Sequence, residues 1–177
     1  MKIRRLSLLA LFTSFALILG YVESLLPLTV LPGFRIGLPN IVILLVLWRM
    51  GARDAAAVSA VRLILSAALF GSLLSLAYAT AGAVCSFLVM LGLRRTRLFS
   101  IVAISAAGGV THNLAQIAVA MGVFGQAALI GFLPLLLPLG ILSGLAVGFV
   151  AALLCARLPR LPGESAPAAE KRRTPPA

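Results

Sequence analysis

Arg62 stands in the middle of the apolar stretch Ala55–Phe70, in a chain that is 62% hydrophobic and 11% charged. An ionisable side chain at a bilayer centre costs roughly 2.5–3.5 kcal/mol even on the lenient insertion scale, so a residue of this kind marks a candidate site. The guanidinium is a planar fork of five donors, matched to carboxylate and phosphate oxygens. Ser59, Arg62 and Ser66 follow at i, i+3 and i+7 and so share one helical face. A second polar row runs through Ser105, Gly109, His112 and Gln116 at i, i+4, i+7 and i+11, flanked by Thr111 and Asn113. Amides and an imidazole in an apolar helix must face protein or water, because lipid offers them no partner. Ser75, Tyr78, Gly82 and Ser86 form a third row, where small residues also serve close helix packing. Glu23 lies beside Tyr21 and Ser24 towards the end of the first apolar run. Each group has a structural alternative: Arg62 paired with Glu23, His112 as a packing residue, Glu23 at interfacial water.

Taken together, Arg35, Arg62 and His112 offer positive charge and donors to an anionic group, with Glu23, Asn40, Tyr78, Asn113 and Gln116 as further substrate-binding candidates. Reactive machinery is sparse. Asp54 is the sole aspartate, so the paired Asp-rich motifs that hold Mg²⁺ and diphosphate for prenyl transfer are missing, as is a Walker A loop. A single histidine, no G-x-S-x-G, and Cys85 and Cys155 set singly in apolar runs give no triad and no metal spacing. A noncatalytic protein without metal or cofactor is expected.

The elements that must position these residues are membrane spans. Soluble domains are roughly 45–50% apolar and about 25% charged, so a water-soluble globule of this composition lacks the side chains to cover itself. The net charge of +11 comes without a groove-reading motif, which argues for basic loops at a bilayer and against a nucleic-acid partner. Apolar blocks predict an all-α integral membrane bundle with spans near 6–26, 36–49, 55–70, 73–93, 98–123 and 132–156. Residues 1–156 form the transmembrane domain, and the Pro-rich basic segment 157–177 reads as a disordered cytoplasmic tail. With alternating spans, all but Arg35 and Arg62 of the 15 basic residues fall on one side, which predicts cytoplasmic termini.

Asp54 is expected to cap the start of the third helix and Gly71 to suit its end. Span two is predicted to be short, because a helix starting at Pro39 and ending near Met50 covers roughly 18 Å of a ~30 Å core. The 27–38 stretch should then dip over the bundle as an ordered cap, carrying Arg35, with Gly33 and Gly37 permitting the turns. Pro134 and Pro138 predict a kinked or late-starting outer end of span six.

Four segments carry a family resemblance: Gly20-Tyr21-Val22-Glu23-Ser24-Leu25-Leu26-Pro27, Pro32 to Val42, Arg62 with Phe70-Gly71-Ser72, and His112-Asn113-Leu114-Ala115-Gln116. In this order they resemble the Gx transporter family, also labelled heptaprenyl diphosphate synthase component I, which is similar to the S components of energy-coupling factor (ECF) vitamin transporters. The resemblance implies a multi-pass protein of a prokaryotic cytoplasmic membrane with an outward-opening cavity under the first outer loop. It also implies a small-molecule substrate and docking to a transmembrane coupling subunit energised by ATPase subunits. Ser7, Ala10 and Ser14 form the expected docking face at i, i+3 and i+7. The alternative is a noncatalytic membrane subunit of isoprenoid or quinone metabolism.

Overall fold

The computed structural model describes residues 2–25, 36–70, 73–125 and 127–159. Among them are six α-helices: α1 (Lys2–Leu25), α2 (Pro39–Arg49), α3 (Ala52–Phe70), α4 (Leu73–Thr96), α5 (Ile101–Phe124) and α6 (Leu133–Arg157). Each lies where an apolar block predicted a span. Four stretches, Ile3–Leu25, Leu76–Thr96, Ile101–Phe124 and Ala128–Arg157, are long and apolar enough to cross a membrane. Their outward faces are apolar, with Ile3 82%, Leu6 69% and Phe149 65% exposed, an arrangement that suits lipid as the surrounding solvent.

The short second helix is the centre of the bundle. Val42 to Leu47 are all buried, and α2 packs against α1, α3 and α6. A helix apolar on every side has no face to give to water, so burial among its neighbours follows from its sequence. Pro39 occupies its first turn, where the missing N–H costs nothing. Gly51, at φ +112°, then turns the chain into α3 in a conformation that suits glycine.

α5 is bounded by recognisable signals. Ser100 accepts a hydrogen bond from the Ala103 N–H at 3.2 Å, and Gly125 closes the helix in the left-handed conformation, its N–H bonding the Met121 carbonyl. A 3-10 turn, Ala127–Phe132, leads into α6, which begins at Leu133 ahead of both prolines, with Pro134 in the first turn and Pro138 inside the helix, so the late start expected from the prolines is absent. α6 lies against α5 along Gly140, Gly144 and Gly148. A Cβ on Gly144 would come within 2.6 Å of Ala106 Cα and the Ser105 carbonyl oxygen, and one on Gly148 within 2.8 Å of Val102 Cα. Only hydrogen at these positions lets the two backbones approach so closely.

Polar contacts gather the start of α1, the α2–α3 turn and the ends of α4 and α6 at one end of the bundle. Arg5 forks onto Asp54 at 2.7 and 2.8 Å through one nitrogen and 3.2 Å through another. Arg49 donates to the carbonyl oxygens of Cys155 at 2.8 Å and Pro159 at 2.6 Å, covering the end of α6. The Arg94 guanidinium lies 5.2 Å from the Trp48 ring centroid. One expectation is corrected here: Asp54 is the third residue of α3, which begins at Ala52, and so is not the residue that caps its start; its carboxylate is engaged by Arg5. Arg35, most of the expected cap, Gly71 and the tail from Arg160 lie outside the described residues.

Candidate functional site

At the opposite end, five helices and the residue Gly37 that leads into α2 surround a cavity of about 110 Å³. Gly20, Glu23 and Ser24 line it from α1, Gly37, Pro39 and Asn40 from the entry to α2, Arg62 and Ser66 from α3, Ala79 from α4 and His112 from α5. The volume holds several waters or one compact polar group and is smaller than the roughly 300–1,000 Å³ of a drug-sized pocket.

Glu23 is 7% exposed, and its Oε1 accepts the Gly37 backbone N–H at 2.6 Å. This ties α1 to the chain entering α2 and places a carboxylate at the positive end of that helix. Gly37 adopts φ +80°, and a Cβ there would lie 3.0 Å from Asn40 Nδ2, so the residue is glycine for conformation and for space. Pro39 packs over Gly20, whose notional Cβ would lie 3.3 Å from Pro39 Cγ. The His112 ring sits on Gly82 of α4, where a Cβ would meet Cε1 at 2.8 Å and both ring nitrogens at 2.9 Å. Gly82 thus sets how deeply the imidazole seats.

Of the residues singled out by sequence, Glu23, Asn40, Arg62 and His112 share the cavity wall. Others turn elsewhere. Asn113 Nδ2 donates to the Leu136 carbonyl at 3.3 Å and packs on Gly140, so this amide joins α5 to α6. Gln116 is 2% exposed, and its Oε1 has no hydrogen-bond partner among the described residues. Tyr78 Oη is likewise buried without one, and neither residue lines the cavity. Ser86 and Ser105 border a separate void of about 10 Å³ below Asn40, roughly the space of one water.

The single face expected for Ser59, Arg62 and Ser66 is divided. Arg62 and Ser66 line the cavity, whereas Ser59 opens on an apolar groove between α3 and α4. Ser7, Ala10 and Ser14 are all exposed on α1, and both serine hydroxyls bond carbonyls one turn back on their own helix. The glycine row at 140, 144 and 148 carries no polar side chain; its small-xxx-small spacing is the signal that identifies it.

Among known proteins, the family described as heptaprenyl diphosphate synthase component I matches residues 12–154. No curated protein and no solved structure gives a match.

Proposed function

Because the chain belongs to the heptaprenyl diphosphate synthase component I family, we propose that it is a noncatalytic membrane subunit that holds the anionic group of a small molecule. The observation that carries this reading is the joint wall formed by Arg62, His112 and Asn40. Arg62 supplies a bidentate donor, His112 and Asn40 supply directional hydrogen bonds, and the confined surroundings strengthen each of them. Glu23 acts as a positioning residue through Gly37, holding the entry to α2 against α1. Chemistry on the bound group falls to a partner: the sole aspartate is held by Arg5 at the far end of the bundle.

Two kinds of partner fit. The family description favours a soluble prenyl diphosphate synthase component, with this chain keeping the charged substrate or product at the membrane. The exposed Ser7, Ala10 and Ser14 face favours an uptake role, in which a transmembrane coupling subunit docks closely on α1 and ATPase subunits supply energy. In that second reading six spans place both termini in the cytoplasm and the cavity faces outward. Titration of the purified chain with inorganic diphosphate and phosphate tests the shared core. Binding that falls about tenfold in Arg62→Gln, the worth of one charge-assisted hydrogen bond, is expected. Equal binding by the variant would remove Arg62 from the site. Copurification with a prenyl synthase or with ATPases then selects the partner.

A further inference from the structure

Two serines deep in the bundle are placed unlike most helical hydroxyls of the chain. Ser7, Thr13, Ser14 and Thr111 each donate to the carbonyl one turn back on their own helix, the usual way for a hydroxyl to be satisfied away from water. Ser86 of α4 and Ser105 of α5 are 3% and 4% exposed, yet among the described residues neither hydroxyl has a hydrogen-bond partner. Both border a void of about 10 Å³. Asn40 of α2 borders it too, and its side-chain amide is likewise without a partner among the described residues. Burying a polar group unbonded is costly, so three such groups around one void point to an occupant that bonds them. Glycine leaves it room: Gly108 also borders the void, and a Cβ there would lie 3.1 Å from Ser86 Oγ.

We propose that the void holds one ordered water that bridges Asn40 to Ser86 and Ser105, and that through it the two serines are positioning residues for the Asn40 amide in the cavity wall. The positioning role rests on the cavity being an anion site. Asn40 itself is the link, since it lines both the cavity and the void. Its backbone is fixed by the bond from its N–H to the Gly37 carbonyl oxygen at 2.8 Å, but a side-chain amide has a donor edge and an acceptor edge and can turn either to a ligand. An anion needs the donor edge. Nδ2 is the atom that approaches Gly37 of the cavity wall, 3.0 Å from where a Cβ would stand, which leaves Oδ1 for the void. The water donates to Oδ1 and to one serine oxygen and accepts from the other hydroxyl, so the amide cannot flip without breaking the bridge. Three partners suit a water, and about 10 Å³ admits one water and no organic group. Arg62 in the adjoining wall disfavours a cation in its place.

The test has two parts, both on the full-length chain. A crystal structure fine enough to show waters should place one within about 3 Å of Asn40 Oδ1, Ser86 Oγ and Ser105 Oγ, a reading that needs no variant. The chain's asparagines are Asn40 and Asn113, so labelling asparagine alone with carbon-13 and nitrogen-15 gives one side-chain amide signal from each. Asn113, bonded to the Leu136 carbonyl, is the internal reference, and Asn40→Gln assigns the pair. In phosphatidylcholine nanodiscs Ser86→Ala and Ser105→Ala should each shift the Asn40 signal and leave that of Asn113. Each should weaken inorganic diphosphate binding about threefold with little change in melting, since neither removes a bond between protein groups. A lowered melting temperature with an unmoved Asn40 signal would make the serines packing residues and overturn the proposal, as would a wild-type structure with no water at the three oxygens. An Asn40 signal that responds to sodium and not to potassium would put a cation there and overturn it as well. Shifted Asn40 signals with unchanged diphosphate affinity would uphold the bridge and overturn the positioning role, leaving the cavity reading in place. A bridged wild-type chain that binds neither inorganic diphosphate nor phosphate would overturn the cavity reading and the positioning role together.

Discussion

The two ends of this bundle use arginine in opposite ways. At the basic end Arg5 meets Asp54, Arg49 meets the last carbonyls of α6 and Arg94 stacks on Trp48, so each cation holds one element to another. At the cavity end Arg62 stands in a wall around open volume, alongside His112 and Asn40. Burial alone does not separate the two cases, since Arg49 is 8% exposed and His112 is 7% exposed. The separation lies in what borders them: only protein groups in one region, the wall of an open cavity in the other. A buried charge enclosed by packing belongs to stability, whereas one that also borders a cavity can reach a ligand.

The largest effect is expected where neither end is independent of the frame. Gly144→Leu drives a side chain into the α5 backbone at Ala106 and Ser105, which cannot retreat as a flexible side chain would. Overpacking typically costs about 1–3 kcal/mol, and a backbone clash places this variant at or above the top of that range. Thermal unfolding in detergent should show a large loss together with loss of diphosphate binding. A variant that melts like the wild type would mean that the α5–α6 seam does not join the two regions.

A smaller effect isolates the basic end. Arg5→Gln leaves the Asp54 carboxylate, 5% exposed, without its fork. Breaking a fully buried pair costs about 3–5 kcal/mol, but the Arg5 side chain is half exposed and solvent screens the interaction, so about 1–2 kcal/mol is expected. Diphosphate affinity should stay at the wild-type value. A parallel loss of affinity would show that the two ends are coupled and the contrast between them is false.

The smallest effect sharpens the contrast at the cavity. Gly82→Ala adds a methyl within 2.8 Å of the tip of the His112 ring, which can swing aside, and alanine raises helix propensity by about 1 kcal/mol. Stability should therefore change by less than about 1 kcal/mol, while diphosphate binding weakens about threefold as the imidazole is displaced. A melting loss as large as that of Arg5→Gln, with binding intact, would make His112 a packing residue and return this end to the structural class.

Helix positions were legible because apolar runs bounded by charge, glycine and proline report directly on lipid-facing length. The shortness of α2 was legible from Pro39 and the basic residue Arg49. Four cavity-lining residues, Glu23, Asn40, Arg62 and His112, were visible as polar groups that lipid cannot satisfy. Periodicity assigns residues to a face of their own helix but does not say which neighbour that face meets. For this reason Ser59 separated from Arg62, and Asn113 turned to α6 although it follows His112 directly. Asp54 illustrates the same limit, since a first-turn aspartate suits a cap until Arg5, far away in sequence, arrives beside it. The glycine row of α6 carries no polar group, so the residues that hold α5 and α6 together give no chemical signal and show only in their spacing.

The bond from Glu23 to Gly37 has a consequence for how such a protein can diversify. It ties together two points 14 residues apart in the chain, and the residues that border the cavity sit at both ends of that tether. The entropic cost of closing a loop grows only with the logarithm of its length, about 0.6 kcal/mol for each doubling. Insertions and deletions between Leu26 and Arg35 are therefore cheap, while α1 and α2 keep their register through the tether. Relatives can vary the length and sequence of the link between α1 and the entry to α2 at little expense to the two helices, so this stretch can change faster than the fold on either side of it.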